Sequence, residues 1–136
     1  MAAARRDRRP QIRRSRSGPA PLCSYDLSVE LSEYQRLSRS TAQYPRKEAL
    51  TYPALGLAGE AGEFADHAKK VIRDDGGEVT AGRREAMAKE LGDVLWYVAQ
   101  LASELELDLD EIAQANLEKL LSRQRRGVLS GSGDDR

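Results

Sequence analysis

The sequence predicts an all-α protein with a single domain, and three observations support that prediction. Apolar residues recur at intervals of three and four in four separate segments, as on a helix face that packs against a core. No segment alternates apolar and polar residues as a half-buried strand would. A length of 136 residues allows one domain, whose core must be built mainly from Leu and Ala because aromatic residues make up 5%.

The first two helices are predicted from their apolar faces and from the prolines between them. The first helix is predicted from about residue 27 to residue 43. Pro45 and Pro53 then bracket a predicted loop that contains Tyr52. The second helix is predicted from about residue 54 to residue 73, with Leu57 and Phe64 on its apolar face.

Turn and capping residues delimit the last two helices. The turn after the second helix is predicted from the sequence Asp74-Asp75-Gly76-Gly77. Thr80 is the predicted N-cap of the third helix, which reaches about residue 105. Asp108 with Glu111 predicts a capping box at the start of the fourth helix, and Gly127 is its predicted end.

Charge is strongly segregated along the chain, although its formal sum is zero. Residues 1–24 are rich in Arg, Ser and Pro, and we predict a disordered tail there. A helical domain is predicted at 25–126 and a flexible tail at 127–136. A solvated tail without a catalytic role is the simplest interpretation of the first segment. A nucleic-acid-binding arm, an organellar transit peptide and an upstream extension of the reading frame are the alternatives.

The predicted domain is acidic, which limits its partners. Residues 26–121 contain 19 acidic and 11 basic residues, and such a field disfavours nucleic acid as a partner. Cys23 is the single cysteine, so an intrachain disulfide is excluded and a reducing compartment is favoured. No apolar run approaches the roughly 20 residues of a membrane span. We therefore expect a cytoplasmic protein that does not enter a membrane.

Two pairs of acidic residues are the most informative feature for function. Glu60 and Glu63 lie on the second predicted helix, and Glu90 and Asp93 lie on the third. The i, i+3 spacing places each pair on one helix face, beside apolar residues. Carboxylates in such a position repel one another and lose solvation, and a divalent cation is the usual means of keeping them ionised. All-oxygen ligands suit a hard cation such as Mg2+.

An alternative is that these acids are solvated helix residues that happen to flank the core. The glycines beside the two pairs, Gly62 and Gly92, argue against it, since each costs about 1 kcal/mol relative to Ala inside a helix. They predict either a close approach of the helices or room for a ligand.

In their flanking sequences, the two motifs resemble the MazG-like, all-α nucleoside triphosphate pyrophosphohydrolase superfamily. The resemblance covers roughly residues 27–123 and rests on three blocks: Gly56-Leu57-Ala58-Gly59-Glu60-Ala61-Gly62-Glu63, Lys89-Glu90-Leu91-Gly92-Asp93-Val94-Leu95-Trp96-Tyr97 and Ala115-Asn116-Leu117-Glu118-Lys119-Leu120. It implies a four-helix-bundle-like fold that oligomerisation completes. It also implies hydrolysis of a nucleoside or deoxynucleoside triphosphate to the monophosphate and pyrophosphate, by attack of water on the α-phosphorus.

The resemblance further implies roles for individual residues. The Mg2+ ligands, with Mn2+ as a substitute cation, would be Glu60, Glu63, Glu90 and Asp93. We expect Glu63 to be the catalytic member of this set. Asn116 and Lys119 would contact phosphate or nucleotide, and Tyr97 would help to form the base pocket, where a ring can stack on a base. A solvated stripe on the fourth helix is the alternative for Asn116 and Lys119.

Two other classes of protein are alternatives to this enzyme. The first is a helical regulatory or interaction module that kept the fold and lost turnover, and the second is a nucleic-acid-associated protein that uses the Arg-rich arm. A di-iron site is disfavoured, because ferritin-like sites need Glu-x-x-His twice whereas His67 is the only histidine. Since large apolar residues are few, we also expect a homodimer or homotetramer, with the second and third helices in the interface.

Overall fold

The computed structural model describes residues 29–130, and all regular secondary structure in this part of the chain is helical. Four α-helices follow one another as α1 (Leu31–Ser38), α2 (Thr51–Asp74), α3 (Ala81–Glu104) and α4 (Leu109–Arg125). Two short 3-10 helices, Arg39–Thr41 and Arg46–Glu48, lie between α1 and α2. No strand occurs between residues 29 and 130, so the predicted all-α class is confirmed. The predicted tail at 1–24, the residues before 29 in the predicted first helix, and residues 131–136 of the predicted C-terminal tail lie outside the described residues.

Helices α2 and α3 form a long antiparallel hairpin that is the main body of the fold. Each helix has 24 residues, and contacts between them pair the start of α2 with the end of α3. Gly76 and Gly77 both have positive φ angles, 63° and 89°, and close the turn between the helices as predicted. Thr80 caps α3, because its hydroxyl accepts a hydrogen bond from the backbone of Arg83.

Helix α2 begins earlier than predicted. It starts at Thr51, so Tyr52 belongs to its first turn and the prediction that Tyr52 lies in a loop was wrong. Pro53 is the third residue of the helix and is buried. Proline is tolerated there because the first backbone N–H groups of a helix have no partner within the helix.

Helix α1 is shorter than predicted and is held by polar groups. The predicted helix reached residue 43, but α1 ends at Ser38, and the chain tightens into a 3-10 turn before it turns extended at Ala42. The side chain of Gln35 donates to the carbonyl oxygen of Leu107 at 2.9 Å and accepts from the backbone N–H of Leu109 at 2.8 Å. These bonds attach α1 to the connection between α3 and α4 and to the first residue of α4.

A small core lies where α1, the end of α3 and the start of α4 meet. Its buried members are Ala99, Ala102 and Leu109, and Leu31 and Tyr34 of α1 pack against them. Gln100, fully buried at 0% exposure, accepts a hydrogen bond from Arg39 and donates one to Ser38. Within the described residues, no helix is long and apolar enough to cross a membrane.

The N-cap residue Asp108 and the terminating Gly127 of α4 match the prediction, although only the Asp108 half of the predicted capping box with Glu111 is formed. Asp108 accepts hydrogen bonds from the backbone N–H groups of Asp110 and Glu111 and so caps the helix. Gly127 has a φ of 70°, and Val128 donates to the carbonyl oxygen of Arg123, which is the hydrogen-bond pattern of a glycine-terminated helix. Between its ends, α4 contacts mainly α1 and leaves much of its surface exposed.

Candidate active site

Three carboxylates from the two long helices meet at the middle of the hairpin. Glu60 comes from α2, and Glu90 and Asp93 come from α3. One oxygen atom of each lies within 4.8 Å of an oxygen of the other two. The antiparallel pairing of α2 with α3 brings the two acidic motifs to the same level, so a predicted local pattern becomes a three-dimensional cluster. Carboxylate oxygens at this spacing can share one divalent cation.

The electrostatics of the cluster centre on Glu60. Burial raises the pKa of this carboxyl, and the charges of Glu63 and Asp93 and a hydrogen bond to Glu90 raise it further. Each of these effects disfavours the ionised form, since the carboxylates repel one another and lose water together. The cluster therefore gains either from a proton or from a cation that is shared by several oxygens.

Glu63 lies beside this cluster. It is not one of the three residues whose oxygens approach within 4.8 Å, and its side chain is exposed. Its charge nevertheless acts on Glu60, one helical turn away. Of the four acids predicted as ligands, the structure thus gathers three and keeps the fourth next to them.

Tyr97 forms an aromatic wall next to the acids. Its ring lies against Gly56 of α2, where a Cβ atom would be 2.2 Å from two ring carbons. Burial raises the pKa of the Tyr97 hydroxyl, and so do the nearby groups of Tyr52, Glu60 and Asp93. The ring is thus close to the cluster without taking part in it. Trp96 packs edge-on against Tyr97 with its ring centre 4.9 Å away.

Asn116 and Lys119 are not brought to the acidic cluster. They line a surface cavity of about 480 Å³ on α4, together with Ile112 and Ala115. This helix contacts mainly α1, whereas the acids lie between α2 and α3. Within residues 29–130 of one chain, the predicted phosphate-binding residues and the predicted cation-binding residues therefore occupy separate places.

The glycines next to the acidic pairs do not mediate a close approach within the chain. A Cβ atom at Gly62 or Gly92 would meet nothing within 4 Å, so the predicted close helix approach was wrong for these two positions. The space beside them is open, which leaves the second prediction, room for a ligand. Among the glycines between residues 29 and 130, Gly56 is the one at which another side chain approaches closely.

One contact of the cluster was not predicted from the sequence. His67 Nε2 lies 3.5 Å from Glu90 Oε1, and His67 Nδ1 lies 3.2 Å from a guanidinium nitrogen of Arg83. The sequence offered only the position of His67 on α2, four residues after Glu63, and that spacing does not reveal partners on α3. Lys69 and Lys70, in contrast, pair with Asp66 on their own helix.

Comparisons with known proteins identify a family. The sequence profile of the MazG nucleotide pyrophosphohydrolase domain matches residues 50–128, which includes α2, α3 and α4. The chain is also similar to the Gene 37 protein of Mycobacterium phage L5, with 49% identity over 109 residues. That alignment covers 76% of this chain and 96% of the phage protein. No solved structure matches the chain.

Proposed function

Because the chain belongs to the MazG nucleotide pyrophosphohydrolase family, we propose that it is a Mg2+-dependent hydrolase of nucleoside triphosphates. It converts a nucleoside or deoxynucleoside triphosphate into the monophosphate and pyrophosphate, through attack of water on the α-phosphorus. The strongest support for this proposal is a single structural observation. Glu60, Glu90 and Asp93 come from two motifs 30 residues apart in the sequence, and their oxygens meet within 4.8 Å.

The donor set fits a hard divalent cation. All the contributing atoms are carboxylate oxygens, which favour Mg2+ or Mn2+ over softer metals. Burial raises the pKa of Glu60, and repulsion from Glu63, Asp93 and Glu90, which a cation would relieve, raises it further. Glu60, Glu90 and Asp93 would hold the cation, with Glu63 as the fourth ligand that the family resemblance implies. A bound cation of this kind supplies a more acidic water and neutralises charge on phosphate oxygens.

Glu63 is the carboxylate best suited to take a proton from the attacking water. It is exposed and lies outside the tight group of three oxygens, so that one of its oxygens can bind the cation while the other is available to a water molecule. A general base must lie within reach of the proton that it removes. We therefore assign Glu63 the catalytic role, one helical turn from Glu60.

The base of the nucleotide would lie against the aromatic wall. Tyr97 is fixed by Gly56 on one side and lies near Glu60 and Asp93, so a stacked base would leave the phosphates beside the acids. Tyr52, which stacks on Tyr44 with ring centres 5.4 Å apart, extends the aromatic surface at the start of α2.

The working form that we propose is a homodimer or homotetramer, with α2 and α3 in the interface. Large apolar side chains are exposed on these helices, including Leu55 at 69%, Ile72 at 77% and Leu91 at 53%. Asn116 and Lys119 would then approach the phosphates of a site in an assembly, since in one chain they lie apart from the acids. Light scattering at micromolar concentration tests the proposal, which a stable monomer would overturn.

A screen of nucleoside triphosphates with Mg2+ tests the activity. Monophosphate and pyrophosphate should appear in equal amounts, and chelation of the cation should stop the reaction. Glu63→Gln and Asp93→Asn should each lower turnover by several orders of magnitude while the helical content is kept. Full activity in both variants would refute the assignment. A protein that binds the cation but hydrolyses no nucleotide would instead favour the alternative function, a module of this fold that has lost catalysis.

A further inference from the structure

We propose that His67, held in place by Arg83 and Asp75, positions the carboxylate of Glu90 for the cation. The inference rests on the proposed function, because it requires that the acidic cluster binds a divalent cation. His67 itself is not a ligand in this proposal. It is a positioning residue that acts through Glu90.

Four side chains form a continuous line from the turn of the hairpin to the cluster. Asp75 Oδ2 accepts a hydrogen bond from Arg83 Nε at 2.9 Å, and Arg83 Nη1 lies 3.2 Å from His67 Nδ1. His67 Nε2 then lies 3.5 Å from Glu90 Oε1, which is longer than an ideal hydrogen bond but still a close electrostatic contact. The line crosses twice between α2 and α3, so it ties the two helices together beside the site.

The charge of Arg83 fixes which nitrogen of His67 carries the proton. A guanidinium group has only donors and stays protonated in proteins. His67 Nδ1, 3.2 Å from it, must therefore be the acceptor, so the proton of the neutral ring is on Nε2. The Nε2–H group then faces Glu90 Oε1 at 3.5 Å, as an electrostatic contact, and leaves the lone pairs of the carboxylate for a cation.

The line is sheltered from water and well anchored. The side chains of Asp75 and Glu90 are 16% exposed, that of Arg83 is 18% exposed and that of His67 is 20% exposed. The ion pair of Lys89 with Glu85 on α3 is, by comparison, 70% and 74% exposed and can give little orientation. Polar contacts away from water are stronger and more specific in geometry, as orienting a ligand requires.

Arg83 and Asp75, which hold His67 in place, both lie at well-defined positions of the backbone. Arg83 lies in the first turn of α3, where Thr80 accepts a hydrogen bond from its N–H group. Asp75 is the C-cap residue, directly after the last residue of α2 and before the two glycines of the turn. Neither residue belongs to the group of carboxylates that meet at the cluster. Arg83 can thus be changed without removing a proposed ligand.

The test is a titration of Mn2+, followed by electron paramagnetic resonance, on the full chain without nucleotide. Three variants separate positioning from other roles. His67→Leu removes both polar contacts at similar volume, His67→Gln keeps one acceptor and one donor, and Arg83→Met removes only the anchor. Arg84→Met is the matched control, since it removes the same charge from the neighbouring position. Thermal unfolding of each variant verifies that it is folded.

Loss of a positive charge and loss of positioning predict opposite changes in the affinity for Mn2+. Removing a positive charge near a cation site should tighten cation binding, or leave it unchanged, by simple electrostatics. Positioning predicts that Arg83→Met and His67→Leu weaken Mn2+ binding by about 10- to 100-fold. It also predicts that His67→Gln restores most of the affinity and that Arg84→Met does not weaken binding. In turnover assays, the weakened variants should need more Mg2+ but regain kcat at saturation.

Several outcomes would overturn the inference. One is wild-type Mn2+ affinity in folded His67→Leu, and another is a loss in His67→Gln as large as in His67→Leu. If His67→Leu does not fold, unchanged Mn2+ affinity in Arg83→Met is decisive against it. A wild-type protein that binds no Mn2+ also overturns it. A wild-type protein that binds Mn2+ but hydrolyses no nucleotide overturns the proposed function alone, because Glu90 can still be positioned for a cation.

Discussion

The ring of Tyr97 lies directly against the backbone of Gly56, and a Cβ atom at position 56 would be 2.2 Å from ring atoms Cε1 and Cζ. Only glycine fits such a contact without a shift of the ring or of the helix. Gly56 lies one turn before Glu60, and Tyr97 lies one turn after Asp93. The contact therefore fixes the distance between α2 and α3 at one end of the candidate site.

We predict that Gly56→Ala destabilises the protein by roughly 1–3 kcal/mol, because the added methyl group overpacks this contact. Gly59→Ala on the same helix is the matched control. A Cβ atom at Gly59 meets nothing within 4 Å, so the higher helix propensity of Ala should leave stability unchanged or raise it by up to about 1 kcal/mol. Urea unfolding measures both variants. Equal effects of the two substitutions would contradict the close contact.

The turn after α3 offers a second prediction, about backbone strain. Glu106 has a φ of 57°, in the left-handed region that favours glycine. It occupies the same position after α3 that Gly127 occupies after α4. We expect Glu106→Gly to raise the free energy of unfolding by about 0.5–1 kcal/mol. Glu106→Ala removes the same charge but keeps the strain, so it should not stabilise the protein. A gain in Glu106→Ala as large as in Glu106→Gly would show that charge, not φ, is the cause.

A third prediction concerns pH. The Tyr44 hydroxyl donates to Glu104 at 2.6 Å, and this bond, with the Arg39 guanidinium, lowers the pKa of Glu104 below its ordinary value of 4.5. Folding therefore favours the ionised form of this group. The resulting stability is present above pH 4.5 and is lost as the pH falls through the lowered pKa of the folded state.

Glu104→Gln measures that contribution. At neutral pH the variant should be less stable than the wild type by roughly 1–3 kcal/mol, since it loses hydrogen bonds to a charged acceptor. The difference should shrink as both proteins are unfolded at decreasing pH below 4.5. A difference that stays constant from neutral to strongly acidic pH would show that the carboxylate charge is not involved.

Local signals made most of the fold predictable. Thr80, Asp108 and Gly127 cap or end their helices as expected, because capping depends on a residue and its nearest neighbours. The start of α2 was not predicted, because Pro53 is compatible both with a loop and with a first helical turn. The positive φ of Glu106 could not be predicted from the sequence, because that conformation is rare for residues other than glycine.

The candidate site was predictable as a set of residue types and only partly as an arrangement. The spacing of the acids on each helix follows from the sequence, whereas the meeting of Glu60 with Glu90 and Asp93 also requires the correct register of the antiparallel hairpin. The contacts of His67 and of Tyr97 depend on the register between α2 and α3, which no local pattern specifies. We propose that α4 comes near the acids only through packing between chains. The roles of Asn116 and Lys119 therefore stay predictions.

Lys119→Ala tests the proposed phosphate contact. If Lys119 binds a phosphate in the assembled enzyme, the loss of a charge-assisted hydrogen bond of roughly 1.5–3 kcal/mol should lower kcat/KM by about 10- to 150-fold. Asn116→Ala should have a milder effect because the amide is neutral. Steady-state kinetics on folded protein gives the answer. A change of about two-fold or less in Lys119→Ala would indicate a solvated stripe on α4.

The origin of the oxygen atom in the products tests the central claim most directly. The preferred nucleoside triphosphate is hydrolysed with Mg2+ in water enriched in oxygen-18, and the products are separated and weighed by mass spectrometry. Attack of water on the α-phosphorus predicts one heavy oxygen in the nucleoside monophosphate and none in the pyrophosphate. Heavy oxygen in the pyrophosphate, or release of orthophosphate by the purified protein, would contradict the account.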